Sequence, residues 1–321
     1  MRTTLSLIRR EFTAYFLGPV GYVALVLFLA GMGVLFRVTF DLLTAPGAKG
    51  IEFPMQGLLG NVGFWLIFWV IPPLLTMRLF AEERSTGTLE MLLTAPVRDW
   101  QVVLCKFVAC LAFYVLLWIP TLVYLPVLLG MKIDWPGWEP PRQLVAGGVL
   151  IPIGLLMAIF STDLVRVFGW ILAAAGVVSL ILGQVMLQRA GSPFWNAQLG
   201  IDPMPVLTSY IGLFLAGAMF LALGLLISSL VRSQIVAALC ALAVNLVFIL
   251  GGLMILGGFY TPPSDTGDPT FRVMNFLSVP LHFSQDFSRG LIETRHLVLY
   301  ASVTVAALFL TVRSLERRRW Q

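Results

Sequence analysis

The chain has 321 residues, of which 59% are hydrophobic and only 12% charged, with a mean hydropathy of +0.91 and a formal net charge of +5. Soluble domains carry about 25% charged and about 45–50% apolar residues. A water-soluble enzyme or binding domain is therefore excluded, and a polytopic membrane protein is expected. The basic residues fall in short segments between apolar runs, where they record topology, and do not form a nucleic-acid face.

In chain order, Met1 to Phe16 sets Arg and Glu against Leu5, Ile8, Phe12 and Phe16 at helical spacing, which reads as a cytoplasmic interfacial helix. A span needs about 20 mostly apolar residues. Phe16 to Phe36 is a first span, too long and without a clear cleavage site for a signal peptide. Val62 to Leu79 is the second and Phe107 to Leu129 the third. Leu144 to Phe160, with Gly147, Gly148, Pro152 and Gly154, is the shortest and either crosses or re-enters with the fifth, Val167 to Leu187. Val206 to Leu230, Ile235 to Leu256 and Leu297 to Val312 complete eight. All are expected to be helices, because each must satisfy its own backbone polar groups. With both termini cytoplasmic, 13 Lys and Arg lie inside and 8 outside, in keeping with the positive-inside rule. Asp163 and Arg166 mark the turn of the fourth and fifth segments.

Between the seventh and eighth spans, "TPPSDTGDPT" (261 to 270) is turn-rich. Phe276, Leu281, Phe283, Phe287 and Leu291 then recur about once per helical turn, as in an amphipathic helix on the outer interface or a folded loop over the bundle. His282 and His296 are the only histidines. They read as two separate interface residues, with a metal pair as the alternative. Cys105, Cys110 and Cys240 lie in apolar segments without metal or disulfide spacing and read as buried core thiols. Asn245 and Gln184 are mid-span, and Asn245 is expected to hydrogen-bond across helices. No Asp or Glu sits mid-span, which argues against a proton- or sodium-coupled carrier. No Ser/His/Asp or His-Glu-x-x-His pattern is present, so no catalytic, cofactor or metal site is expected.

The densest charge cluster is "AEERSTGTLEMLLTAPVRDW" (81 to 100), between the second and third spans. Gly87 can serve as an N-cap. Thr88 to Thr94 then reads as a short helix with Leu89, Leu92 and Leu93 on one side and Glu90 on another, ended by Pro96. Asp99 is a plausible N-cap of the next helix, whose first turns carry Lys106 at the interface. The charges of this connector are expected to face water. The pattern alone fits a surface rod or a solvated loop equally.

The stretch "FAEERSTGTLEMLLTAPVRDWQVVLCKF" resembles the hallmark segment of type-2 ABC-transporter permeases (the ABC-2 family), in particular their gliding-motility-type branch. "LGLLISSLVRSQIVAAL" (223 to 239) and "LHFSQDFSRGLIETRHLVLYASVTVAALFLTVRSLERRRW" (281 to 320) look like two later motifs in the expected order. The resemblance covers roughly 1 to 130 and 203 to 321. It implies an all-α permease with six core spans, here plus a two-helix hairpin within 131 to 202 that departs from the family pattern and is expected to pack peripherally. The whole, 1 to 321, is then one membrane domain: interfacial helix 1 to 16, coupling segment 80 to 100, inserted hairpin 131 to 202, and outer loop 259 to 296.

It further implies a coupling helix that docks in a groove of a cytoplasmic ATPase, with Glu82, Glu83, Arg84, Gly87, Thr88, Glu90, Leu92 and Pro96 matching the motif and Glu83, Arg84 and Glu90 orienting it as rim charges. The last outer loop would form re-entrant helices at an outer gate, carrying Phe276, His282, Phe283, Phe287 and Arg289. The implied partners are an ATP-binding cassette ATPase holding ATP and Mg, a second permease half (identical or paralogous), membrane lipids, and a periplasmic or accessory membrane subunit, in a bacterial inner membrane. The chain has no G-x-x-x-x-G-K-[ST] loop, so it is not expected to be an enzyme itself. Export is the expected activity. A secondary transporter or channel, and a non-transporting anchor of an ATPase-driven assembly, are the alternatives.

Overall fold

The computed structural model describes residues 2–44, 54–87, 98–123, 154, 169–171, 173–179, 181, 204–260 and 269–319. Secondary structure among these is helical throughout. The chain divides into two compact units, one of Met1–Tyr114 with Pro203–Gln321 and one of Val115–Asp202.

In the first unit, α1 (Arg2–Leu17) is followed without a loop by α2 (Pro19–Thr44). Gly18 is the joint, and Pro19 starts the second helix where its missing N–H is no loss. The short α3 (Pro54–Leu59) precedes α4 (Val62–Thr76), whose N-cap Asn61 accepts from the Gly63 N–H at 2.8 Å. After α5 (Ala81–Ser85) comes α6 (Asp99–Trp118), which begins eight residues before the expected third span; its last turn, from Val115, and the 3-10 turn at Ile119–Val123 belong to the second unit. Then follow α7 (Met204–Leu230), α8 (Gln234–Leu256), α9 (Pro269–Leu277), α10 (Val279–Gln285), a 3-10 turn at Phe287–Arg289, and α11 (Thr294–Arg319). In the second unit, an apolar helix runs over Gly169–Ser179, within the fifth expected span. The fourth expected span, apart from Gly154, and the Asp163–Arg166 turn lie outside the described residues.

Five helices among the described residues are long and apolar enough to cross a membrane: Val20–Thr39, Asp99–Thr121, Met204–Leu230, Gln234–Leu256 and Thr294–Arg317. The protein is a multi-pass membrane protein. At 15 residues, α4 is about 22 Å long, short of the roughly 30 Å hydrocarbon core.

The core forms around α7, which packs against α4, α8 and α11. Water exclusion does not drive helices together inside lipid; close van der Waals approach does, and small residues permit it. A Cβ on Gly217 would lie 2.3 Å from Tyr114 Cζ, and one on Gly224 would lie 2.1 Å from Thr76 Oγ1. The glycines therefore seat those side chains directly on the α7 backbone. Tyr114 also donates to the Leu213 carbonyl at 3.0 Å, and the Trp69 indole to that of Leu242 at 2.8 Å. Ile235, Leu239 and Val247 on the far face of α8 are exposed, as lipid-facing residues should be. Cys240 is exposed there too, whereas the other two cysteines are buried as expected.

The Asn245 side chain is fully buried, but neither amide atom has a hydrogen-bond partner among the described residues. The expected cross-helix bond is not made. Asn245 shares its face of α8 with Ala237, Ala241, Ile249 and Gly252, a row that offers no side-chain donor or acceptor.

Candidate functional site

The connector end of the bundle is built from the ends of α1, α4, α5, α6 and α7. After α4 a turn at Met77–Phe80 leads into α5. The first N–H groups of a helix have no partner within it. Here a residue far along the chain supplies one. Ser228 Oγ accepts from the Phe80 N–H at 3.1 Å and the Ala81 N–H at 3.2 Å, and donates to the Met77 carbonyl at 3.3 Å. Arg84 donates to the Ser229 carbonyl at 3.1 Å. Both ends of α5 are thereby fixed to the end of α7.

On its other side, α5 meets a buried charge cluster. Lys106 of α6 is 2% exposed and contacts Glu83 at 2.8 Å and Glu11 of α1 at 3.0 Å. Its ammonium also lies 5.3 Å from the centre of the Phe80 ring. Glu11 is paired in addition with Arg10 at 2.8 Å, and Arg78 with Glu82 at 3.2 Å. A cavity of about 250 Å³ opens among Glu11, Tyr15, Arg78, Glu82, Glu83 and Lys106.

The two carboxylates that share Lys106 are driven apart in acidity. Burial disfavours ionisation of Glu11, but Lys106 and Arg10 outweigh it, and its pKa falls below the ordinary value. For Glu83, burial wins: Lys106 offsets part of it, Glu11 repels, and the pKa is raised. Arg10 hydrogen-bonds Glu11 and acts on Glu83 only from a distance, which is the physical reason for the split.

The expectation that the connector charges face water is corrected for Glu83, whose side chain is 19% exposed beneath α1 and Lys106, whereas that of Glu82 is 46% exposed. Arg84 is half-buried and reaches back to α7. Gly87, with a left-handed φ of +72°, follows the end of α5, where glycine is the favoured residue; the helix expected to start from it lies outside the described residues. Thr88, Glu90, Leu92 and Pro96 lie outside the described residues. The helix expected over Met1 to Phe16 is present as α1, attached through Tyr15 stacked on Phe113 at 4.7 Å and the Tyr15 hydroxyl donating to the Leu75 carbonyl at 3.0 Å.

At the opposite end, of the two expected forms, an amphipathic helix or a folded loop over the bundle, the chain takes the folded one, with α9, α10 and the 3-10 turn in succession. Pro280 has no N–H with which to continue α9 and sits instead in the first turn of α10 after the extended Ser278, and Gly290, at φ +87°, turns the chain into α11. Phe283 and Phe287 are buried: Phe283 packs on Trp65, with ring centres 5.2 Å apart, and both rings lie against Gly212 of α7. Thr208 Oγ1 donates to the Phe287 carbonyl at 2.7 Å. Arg289 is exposed, and so is Phe276, under the Arg295 guanidinium at 4.7 Å.

The two histidines are not separate. Their rings stack at 3.7 Å. His282 Nε2 lies 2.9 Å from the Asn275 carbonyl, which can only accept, so Nε2 carries the proton and Nδ1 accepts from the Tyr300 hydroxyl at 2.9 Å. Burial, and then the facing His296 ring, push His282 down to about 3, so it is neutral. Glu11, Lys106, Ser228 and Asp286 were missed as site residues. The serine pair of "LLISSLVRS" was the one visible signal, a polar break at the end of an apolar run.

The profile of the ABC-2 family transporter proteins matches residues 49–312. The chain belongs to the ABC-2 transporter family. The match spans both ends of the bundle, from before α4 to well inside α11, and includes the connector. ABC-2 permeases generally partner with cytoplasmic ATPase subunits. No curated protein matches this ABC-2 chain.

Proposed function

We propose that this ABC-2 protein is the permease subunit of an ATP-driven exporter in a bacterial inner membrane, with its termini and connector in the cytoplasm. ATP and Mg are held by a separate cassette ATPase, and a second permease half completes the pathway. The motifs quoted above favour the gliding-motility-type branch. The observation that carries the reading is the clamping of α5: a five-residue helix bonded to α7 through Ser228 and Ser229, and to α1 and α6 through Lys106.

A surface segment held at so many points transmits displacement to the spans without bending. In this reading residues 88 to 96 form the docking surface, through Leu92 and its neighbours, and Glu83 and Arg84 act behind it as the anchor. Glu82 and Gly87 set where the anchor ends. The loop at Phe276, His282, Phe283, Phe287 and Arg289 closes the opposite, outer end.

The test is co-purification with the cognate ATPase. Leu92→Asp should release the ATPase while the permease still elutes as a folded protein. Retention of the ATPase, with normal stimulation of its turnover, would overturn the assignment.

A further inference from the structure

The turn between α10 and α11 brings three donor groups together. Asp286 ends α10, Gly290 reverses the chain in a left-handed conformation, and Glu293 and His296 come back beside Asp286. His296 Nε2 lies 3.0 Å from Asp286 Oδ2 and 3.4 Å from Glu293 Oε2. All three donor atoms lie within 4.8 Å of one another. One Nε2 proton can satisfy one carboxylate, not two, and the second oxygen converges on the same point without a donor of its own from that ring.

We propose that Asp286, Glu293 and His296 bind a divalent transition-metal ion of the zinc class. Such an ion takes imidazole and carboxylate ligands at about 2.0–2.2 Å. Tetrahedral placement then sets the ligand atoms roughly 3.4 Å from one another. The observed spacings of 3.0 and 3.4 Å need shifts of only a few tenths of an ångström. Glu293 is exposed and can make them freely. One imidazole with two carboxylates is too nitrogen-rich for magnesium or calcium and, without a thiolate, too hard for copper(I).

The surroundings are those of a held ligand. Both nitrogens of His282 are occupied, by Tyr300 and Asn275, so it is not a ligand. Its ring, stacked on His296, restrains the plane of the ligating imidazole by packing alone, since His296 Nδ1 is buried with no hydrogen-bond partner among the described residues. The cavity beside the three donors is also lined by Arg272, Asn275, Gln285 and Arg295, leaving space for a fourth, exchangeable ligand. The two guanidiniums offset the carboxylate charge, so ligand geometry and not net charge would hold the ion. A bound ion would tie the broken helices to the first turn of α11.

The test uses the full chain, purified in detergent without a polyhistidine tag, stripped with chelator and dialysed against zinc chloride. About one zinc per chain is expected, with a rise in the thermal midpoint that magnesium chloride does not produce. Glu293→Gln and Asp286→Asn should each weaken zinc binding at least about tenfold. Cobalt(II) should give visible d–d bands in the wild type and none in His296→Gln. Should the buried substitutions prevent folding, Glu293→Gln at the surface decides alone. Absence of zinc from the wild type, or unchanged affinity in Glu293→Gln, would overturn the site and leave three groups joined by ion pairing only. Neither result bears on ATPase co-purification, so this proposal and the coupling reading fail separately.

Discussion

Lys106→Met removes the one ammonium that two buried carboxylates share. Lys106 is 2% exposed, and the Glu11 and Glu83 side chains are 13% and 19% exposed, so solvent replaces little of the lost charge. Removing one partner of a buried ion pair costs about 3–5 kcal/mol, because the remaining charge stays desolvated. Arg10 still neutralises Glu11, and Glu83 can take up a proton, so the lower half of that range, about 3 kcal/mol near neutral pH, is expected. The sign with pH follows from the two shifts. Glu83 has a raised pKa in the folded wild type, and losing Lys106 raises it further, so its ionisation opposes folding at high pH and its protonation relieves the variant as pH falls towards 5. Glu11 has a lowered pKa, so the wild type gains stability from it above the ordinary value of 4.5 and loses that gain below it. The gap between wild type and variant must therefore narrow on acidification. Reversible unfolding in mixed micelles, followed by circular dichroism at several pH values, measures both. A Lys106→Met loss below about 1 kcal/mol, or a gap that widens as pH falls, would refute the shared-ammonium account.

Ser228→Ala deprives the Phe80 and Ala81 N–H groups of their acceptor, which should cost about 1–3 kcal/mol and speed amide exchange at those two positions; unchanged exchange would mean another group caps α5. Asn245→Leu should leave stability unchanged or raise it by about 1 kcal/mol in the same unfolding assay, because a buried amide without a partner is exchanged for an apolar group of similar size. Gly290→Ala should lower stability by about 1–2 kcal/mol, since φ +87° crowds a Cβ and this one would also meet Pro205 at 3.3 Å; no change in the thermal midpoint would mean the turn relaxes.

The transmembrane helices were legible because lipid imposes one requirement on each separately: a long apolar run that bonds its own backbone. α7 and α8 start within two residues of the expected positions, and α11 within three. The connector charges were not legible in the same way. Lys106 and Glu11 are 95 positions apart, and Ser228 lies 148 from the N–H of Phe80. A charged residue next to a span reads as solvated unless the helix that covers it is known, and α1, itself read correctly as amphipathic, is that helix. His282 and His296 failed for a related reason. They are 14 positions apart with no sequence pattern that pairs them, and it is the reversal of the chain at the left-handed Gly290 that brings them face to face.

The polar groups of α7 explain how an apolar bundle carries irregular backbone at both ends. A segment that leaves helical geometry near lipid frees N–H and C=O groups that water does not reach, and these must be satisfied from a neighbouring helix. At the connector end Ser228 takes up the N–H groups of Phe80 and Ala81; at the other, Thr208 takes up the carbonyl of Phe287. Between them, Gly217 and Gly224 seat Tyr114 and Thr76 on the α7 backbone at distances that leave no room to slide. A helix pinned at its middle and bonded to both irregular segments moves as a rod. In the coupling reading proposed above, displacement of α5 would pass along α7 to the broken loop before α11 through the Ser228 and Thr208 hydroxyls.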